Sequence, residues 1–120
     1  MLTELQKNSR KYLFEQLELM SSKREQLEYQ KNVPIAYVSN ELFWGWQDSY
    51  RDAKEMKWFS GIYSQNELQV LSELDAEIKR IRRSLPQEVP YITDFIGTSE
   101  WAELSKVCQR ALSDLRAIKK

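Results

Sequence analysis

Residues 64–86 read SQNELQVLSELDAEIKRIRRSLP, and this stretch decides the fold class. Ser64 followed three positions later by Glu67 is a capping box, in which each side chain satisfies the other's free backbone amide at a helix start. Leu71, Leu74, Ile78, Ile81 and Leu85 then recur in steps of three and four, which keeps one face of a 3.6-residue helix apolar. Glu67, Glu73, Asp75 and Glu77 come first and Lys79, Arg80, Arg82 and Arg83 last, the order that the helix dipole favours. Pro86 closes the segment, because the residue before a proline is pushed out of the helical region. A helix this long must bury its stripe against other helices.

The rest of the chain supplies them. Thr98 or Ser99 caps a last helix with the stripe Trp101, Leu104, Cys108, Ala111, Leu115 and Ile118, widened by Val107 and Leu112. Thr3 and Gln6 open a first helix over about residues 3–30 with Leu13, Leu17, Met20 and Leu27 on one side, Leu5 with them and Arg24 interrupting. Asn32-Val33-Pro34 ends it. Residues 33–38, short and apolar, read as a loop laid over the core, with a stub of strand as the alternative. Ser39-Asn40 offers an N-cap for a second helix running to about Phe59, where Ser60-Gly61 stops it. Residues 90–97 read as a connector with room for one helical turn. Only three glycines and three prolines occur in 120 residues, which disfavours the many tight turns of sandwiches and barrels. The expectation is an all-α fold in one domain over 1–120, a bundle or orthogonal array of about four amphipathic helices.

Much chemistry is excluded. There is no histidine, so the commonest general base and metal ligand are missing. The single Cys108 has no thiol partner and no imidazole to activate it, and it falls on the apolar stripe of the last helix as a small buried hydrophobe. No phosphate loop, dinucleotide fingerprint or zinc-helix motif is present. Glu73 and Glu77 lie one turn apart but flank the stripe and face water. No enzyme activity, metal or cofactor is expected. No run approaches the roughly 18 apolar residues of a membrane span, and Met1-Leu2-Thr3-Glu4 does not open a signal peptide, so a cytoplasmic protein is expected.

The charge is uneven. Lysines plus arginines equal aspartates plus glutamates at 18 each, yet residues 41–77 hold three basic and eight acidic side chains, a net −5. Phe43, Trp44, Trp46, Tyr50, Trp58, Phe59 and Tyr63, half of the fourteen aromatics, crowd into and just around the same third. On one continuous helix at about 100° per residue, Leu42, Trp46, Tyr50, Ala53 and Met56 form a core face. Trp44, Asp48, Arg51, Glu55 and Trp58 form a second stripe on the far side, with Asp52 at its rim. Tryptophan and arginine are the residues that dominate binding hot spots. The second stripe is therefore either a partner surface or the other side of a central helix packed on both faces, and a kink near Ser49 or Asp52 resets it.

A small helical chain with the acidic-aromatic patch ELFWGWQDSY (41–50) and no histidine resembles the bacterial immunity proteins, which are paired with colicins or with contact-dependent and other polymorphic toxins. The resemblance is one of type, carried by size, patch and composition, and it implies a toxin-domain partner bound through the acidic face. An α-helical adaptor or regulator, homodimeric through the 65–85 helix, is the alternative. Lys79, Arg80, Arg82 and Arg83 raise a third reading, a nucleic-acid-binding module. Zero net charge and the splay of those four residues around Ile81 argue against it.

Overall fold

In the computed structural model, which describes residues 1–118, the fold is all-α, and no strand occurs among the described residues. The helices are α1 (Glu4–Ser21), α2 (Lys23–Asn32), α3 (Val38–Trp46), α4 (Gln65–Ser84), α5 (Ile92–Phe95) and α6 (Ser99–Ala117). They outnumber the expected four. α5 is a single turn, and the long first helix is two.

The break in the first helix falls at Ser22, whose backbone is extended and whose hydroxyl accepts from the Glu25 amide at 3.1 Å. Competition of this kind between serine side chains and the helical backbone favours caps over helix interiors. The break also redirects the chain, so that the buried polar residues Gln26 and Gln30, rather than Leu27, face inward from α2. Gln26 is fully buried; its amide donates to the carbonyls of Leu19 and Met20 at 2.8 and 3.2 Å, covering the end of α1. Gln30 donates to the Ala36 carbonyl at 2.6 Å and accepts from the Val38 amide at 3.2 Å. It thereby holds the 33–37 loop and starts α3. Ser39 is consequently not the cap but a buried residue inside α3, and Ile35 in the loop points outward instead of covering the core.

α4 opens on the capping box of Ser64 and Glu67 and buries Leu71, Leu74, Ile78 and Ile81, with Leu85 half-buried. α6 lies against both α4 and α1, and α3 packs on α1. One continuous cluster joins Leu13, Leu17 and Met20 of α1 to Leu42 and Trp46 of α3, the α4 stripe, Ile92 and Phe95 of α5, and Leu104, Cys108 and Leu115 of α6. Leu5, read as part of the α1 stripe, is exposed near the free end of that helix.

The second helix departs furthest from expectation. It is regular only to Trp46; residues Gln47–Asp52 form a π-helical turn, Ala53–Glu55 a 3₁₀ turn, and Met56 is extended. A π turn bonds i to i+5 and is wider than an α turn. That width brings Trp46 and Arg51, five positions apart, onto one acceptor. The Trp46 indole N–H and the Arg51 Nε both donate to Asp75 Oδ1 on α4, at 2.9 and 2.7 Å. Tyr50 stacks on Trp46 with ring centroids 4.8 Å apart. Leu42, Trp46, Tyr50 and Ala53 are core as expected. Met56 is not, because the helix has ended before it.

Candidate functional site

The far-side stripe does not survive as one face. Trp44 is 63% exposed on α3, and Asp48, one turn on, is exposed with it. Arg51 turns inward to Asp75. Asp52 is exposed and accepts from the Gln47 side-chain amide at 2.8 Å, and Glu55 is exposed on the following turn. Trp58, beyond the extended Met56, is half-buried against the core, and its carbonyl accepts from Gln6 Nε2 on α1 at 3.0 Å. The continuous helix on which Trp44 and Trp58 would share one face is interrupted: the π turn and the extended Met56 break the register between them.

Trp44 and Asp48 gain other companions. They line an open cleft of about 430 Å³ where α1, α2 and α3 meet, together with Tyr12, Glu15, Gln16, Leu19, Tyr29, Glu41 and Gly45. Gly45 is required there. A Cβ at this position would lie 2.1 Å from Gln16 Oε1, and Gln16 is itself buried and donates to the Leu42 carbonyl at 2.9 Å. The missing side chain lets α3 close on α1 and sets the floor of the cleft.

The walls are aromatic and acidic. The Tyr29 hydroxyl donates to Glu41 Oε1 at 2.5 Å. That bond, then burial and the Glu41 charge, push the Tyr29 phenol above its ordinary range. Partial burial, followed by the charges of Asp48 and Glu41, does the same to Tyr12. Both phenols therefore remain neutral at physiological pH. Tyr12, Glu15 and Tyr29 were not legible as site residues, whereas Glu41 opens the acidic-aromatic patch 41–50. Tyr12 off the α1 stripe, a large aromatic on a polar helix face, is the signal that could have found the other three.

Asp75 is a contrasting acid. Burial alone would raise its pKa, but the Trp46 indole, the Arg51 guanidinium and the Lys79 ammonium outweigh that and hold it below the usual carboxylate range. It is a structural hub. The basic residues at the end of α4 are also largely engaged: Lys79 pairs with Asp75 at 3.3 Å, and Arg80 pairs with Glu77 and Glu103. Arg82 donates to the carbonyls of Pro86 and Gln87. Arg83, the fourth basic residue of this helix end, is exposed and forms no ion pair among the described residues. Cys108 is fully buried, and burial pushes its thiol up to about 12, so it is no nucleophile at neutral pH. Among the described residues no helix is long and apolar enough to cross a membrane, and no cluster of ligating side chains is arranged for a metal ion.

No protein-family model matches the chain, and neither curated proteins nor solved structures give a match. The surface of the described residues defines a class, a helical scaffold that presents an acidic, aromatic cleft.

Proposed function

We propose that this chain is an inhibitory binding protein of the immunity type, which docks the α1–α3 cleft face on a basic toxin domain, of nuclease character, inside a bacterial cell. The observation that carries the reading is Trp44, 63% exposed beside Glu15, Glu41 and Asp48. A large rigid aromatic left in water is the kind of side chain that becomes a hot spot when a partner desolvates it. The surrounding carboxylates would speed and orient the encounter with a phosphate-binding, positively charged surface. Trp58 and Arg51 lie outside the cleft lining: Trp58 is half-buried against the core and Arg51 pairs with Asp75.

Co-expression with the polypeptide encoded directly upstream tests the proposal. The wild-type chain is expected to rescue growth from a toxic neighbour. Trp44→Ala is expected to weaken binding by about 2 kcal/mol, as hot-spot truncations do, with the melting temperature nearly unchanged. Asp48→Lys is expected to slow association and flatten its salt dependence. A non-toxic neighbour, or rescue indifferent to both substitutions, would sink the reading.

One observation favours the adaptor or homodimer alternative. A second groove runs between α4 and α6, with Val70, Leu74, Val107 and Ala111 at its base and Glu73, Glu77, Arg110 and Asp114 around it. Charges of both signs around an apolar base suit a second copy of the chain. Sedimentation of the purified protein decides it: a dimer whose mass falls to the monomer in Val107→Glu would favour this reading.

A further inference from the structure

The cleft beside Trp44 is more specialised than a flat docking face. Three aromatic side chains from three helices, Tyr12, Tyr29 and Trp44, enclose it with Glu15, Glu41 and Asp48. Among the described residues, no lysine or arginine forms an ion pair with any of these three carboxylates. Exposed carboxylates such as Asp52, Glu55 and Glu88 also lack an ion pair among the described residues, but the buried acids are compensated: Glu67 has Arg10, and Asp75 has Arg51 and Lys79. Among the described residues, no lysine or arginine lines this cavity.

The missing charge has a definable shape. A planar guanidinium stacks on aromatic faces and is attracted by their electron density, sheds water more readily than an ammonium, and meets a carboxylate with two parallel N–H donors. A lysine ammonium in an open cleft would keep much of its hydration shell and gain less. The acceptor is also held in place: the Tyr29 hydroxyl occupies Glu41 Oε1, and Oε2 has no partner among the described residues. We propose that the cleft is a receptor for a guanidinium group, the side chain of an arginine presented by the basic partner. The source of the arginine rests on the inhibitory reading above; the receptor itself rests on the cleft.

Titration of the full chain with L-argininamide, followed by amide and indole NMR shifts, tests this directly. The expected result is a saturable shift confined to Trp44, Tyr29, Glu41, Asp48 and their neighbours. Lysinamide is expected to bind about tenfold more weakly, and Trp44→Ala and Asp48→Asn to weaken argininamide by about tenfold each, the scale of one lost cation–π or charge-assisted contact. Glu88→Gln, at an exposed carboxylate that does not line the cleft, is the control. Shifts that climb linearly, spread over the surface, or match for the two amides would overturn the proposal. Failure of the probe while Trp44-dependent neutralisation of the toxin persists would remove the receptor and leave the inhibitor. Saturable argininamide binding by a chain that neutralises nothing would do the reverse.

Discussion

Asp75 shows how much one side chain can organise. Its carboxylate accepts from an indole and a guanidinium through a single oxygen, and Lys79 reaches the other at 3.3 Å. Because its folded pKa lies below the unfolded value of about 3.9, the unfolded chain binds more protons in acid. The stabilisation from Asp75 is thus complete above about pH 4–5 and is lost as pH falls through the lowered folded value. Asp75→Asn keeps an acceptor for Trp46 but removes the charge that Arg51 and Lys79 face. We expect it to lower stability at neutral pH by about 1–3 kcal/mol and to flatten the acid limb of the stability curve. Urea titrations between pH 2.5 and 7 check both. An unchanged acid limb would mean that other carboxylates dominate acid unfolding.

Between elements, the decisive contact is α1 against α3 at Gly45. Alanine ordinarily improves a helix interior by about 1 kcal/mol over glycine. Here its methyl would meet the Gln16 side chain, 2.4 Å from Cδ, and Gln16 can withdraw only by giving up its buried bond to the Leu42 carbonyl. Displacing a buried, hydrogen-bonded amide costs about 1–3 kcal/mol, so Gly45→Ala is expected to be destabilising by about 1 kcal/mol despite its better propensity. In a Gln16→Ala background the clash is gone, and the same substitution should become neutral or stabilising. Chemical denaturation of the four members of this cycle measures the coupling; strict additivity would mean that the two helices do not meet as described. The same closeness makes the cleft, since a wider α1–α3 separation would part Tyr12 from Trp44.

Across the whole molecule, polar bonds of long sequence range tie together helices whose apolar stripes alone would tolerate other packings. The Trp101 indole on α6 donates to Gln26 Oε1 on α2 at 2.8 Å, while the Gln26 amide covers the end of α1. Arg10 on α1 pairs at 2.8 Å with Glu67, the buried capping-box residue of α4. We expect Trp101→Phe and Gln26→Leu each to cost about 1–3 kcal/mol, the penalty for stranding a buried polar group. Their double variant should cost less than the sum, because both remove the same bond. Thermal melts with calorimetric enthalpies check this, and additive losses would show that Gln26 acts only through the α1 carbonyls.

The sequence alone determined the local elements: the capping boxes at Thr3 and Ser64, the 3–4 stripes of α4 and α6, and the burial of Cys108 and Trp46. Each depends on residues within one or two turns, where propensity, capping and periodicity act, so neighbouring letters carry the information. The sequence placed Trp44 opposite the core face of its helix but left open whether a second layer would cover it; only the packing left it 63% exposed. The tertiary structure alone decided where the second helix stops being regular. A buried Asp75, some thirty residues away in sequence, rewards a π turn that brings Trp46 and Arg51 to one oxygen, and no local pattern encodes that reward. It likewise packed Trp58 half-buried against the core and assembled Tyr12, Glu15, Tyr29 and Glu41 around Trp44. A cleft between three helices exists only once their packing, here permitted by the absent side chain of Gly45, has set the distances between them.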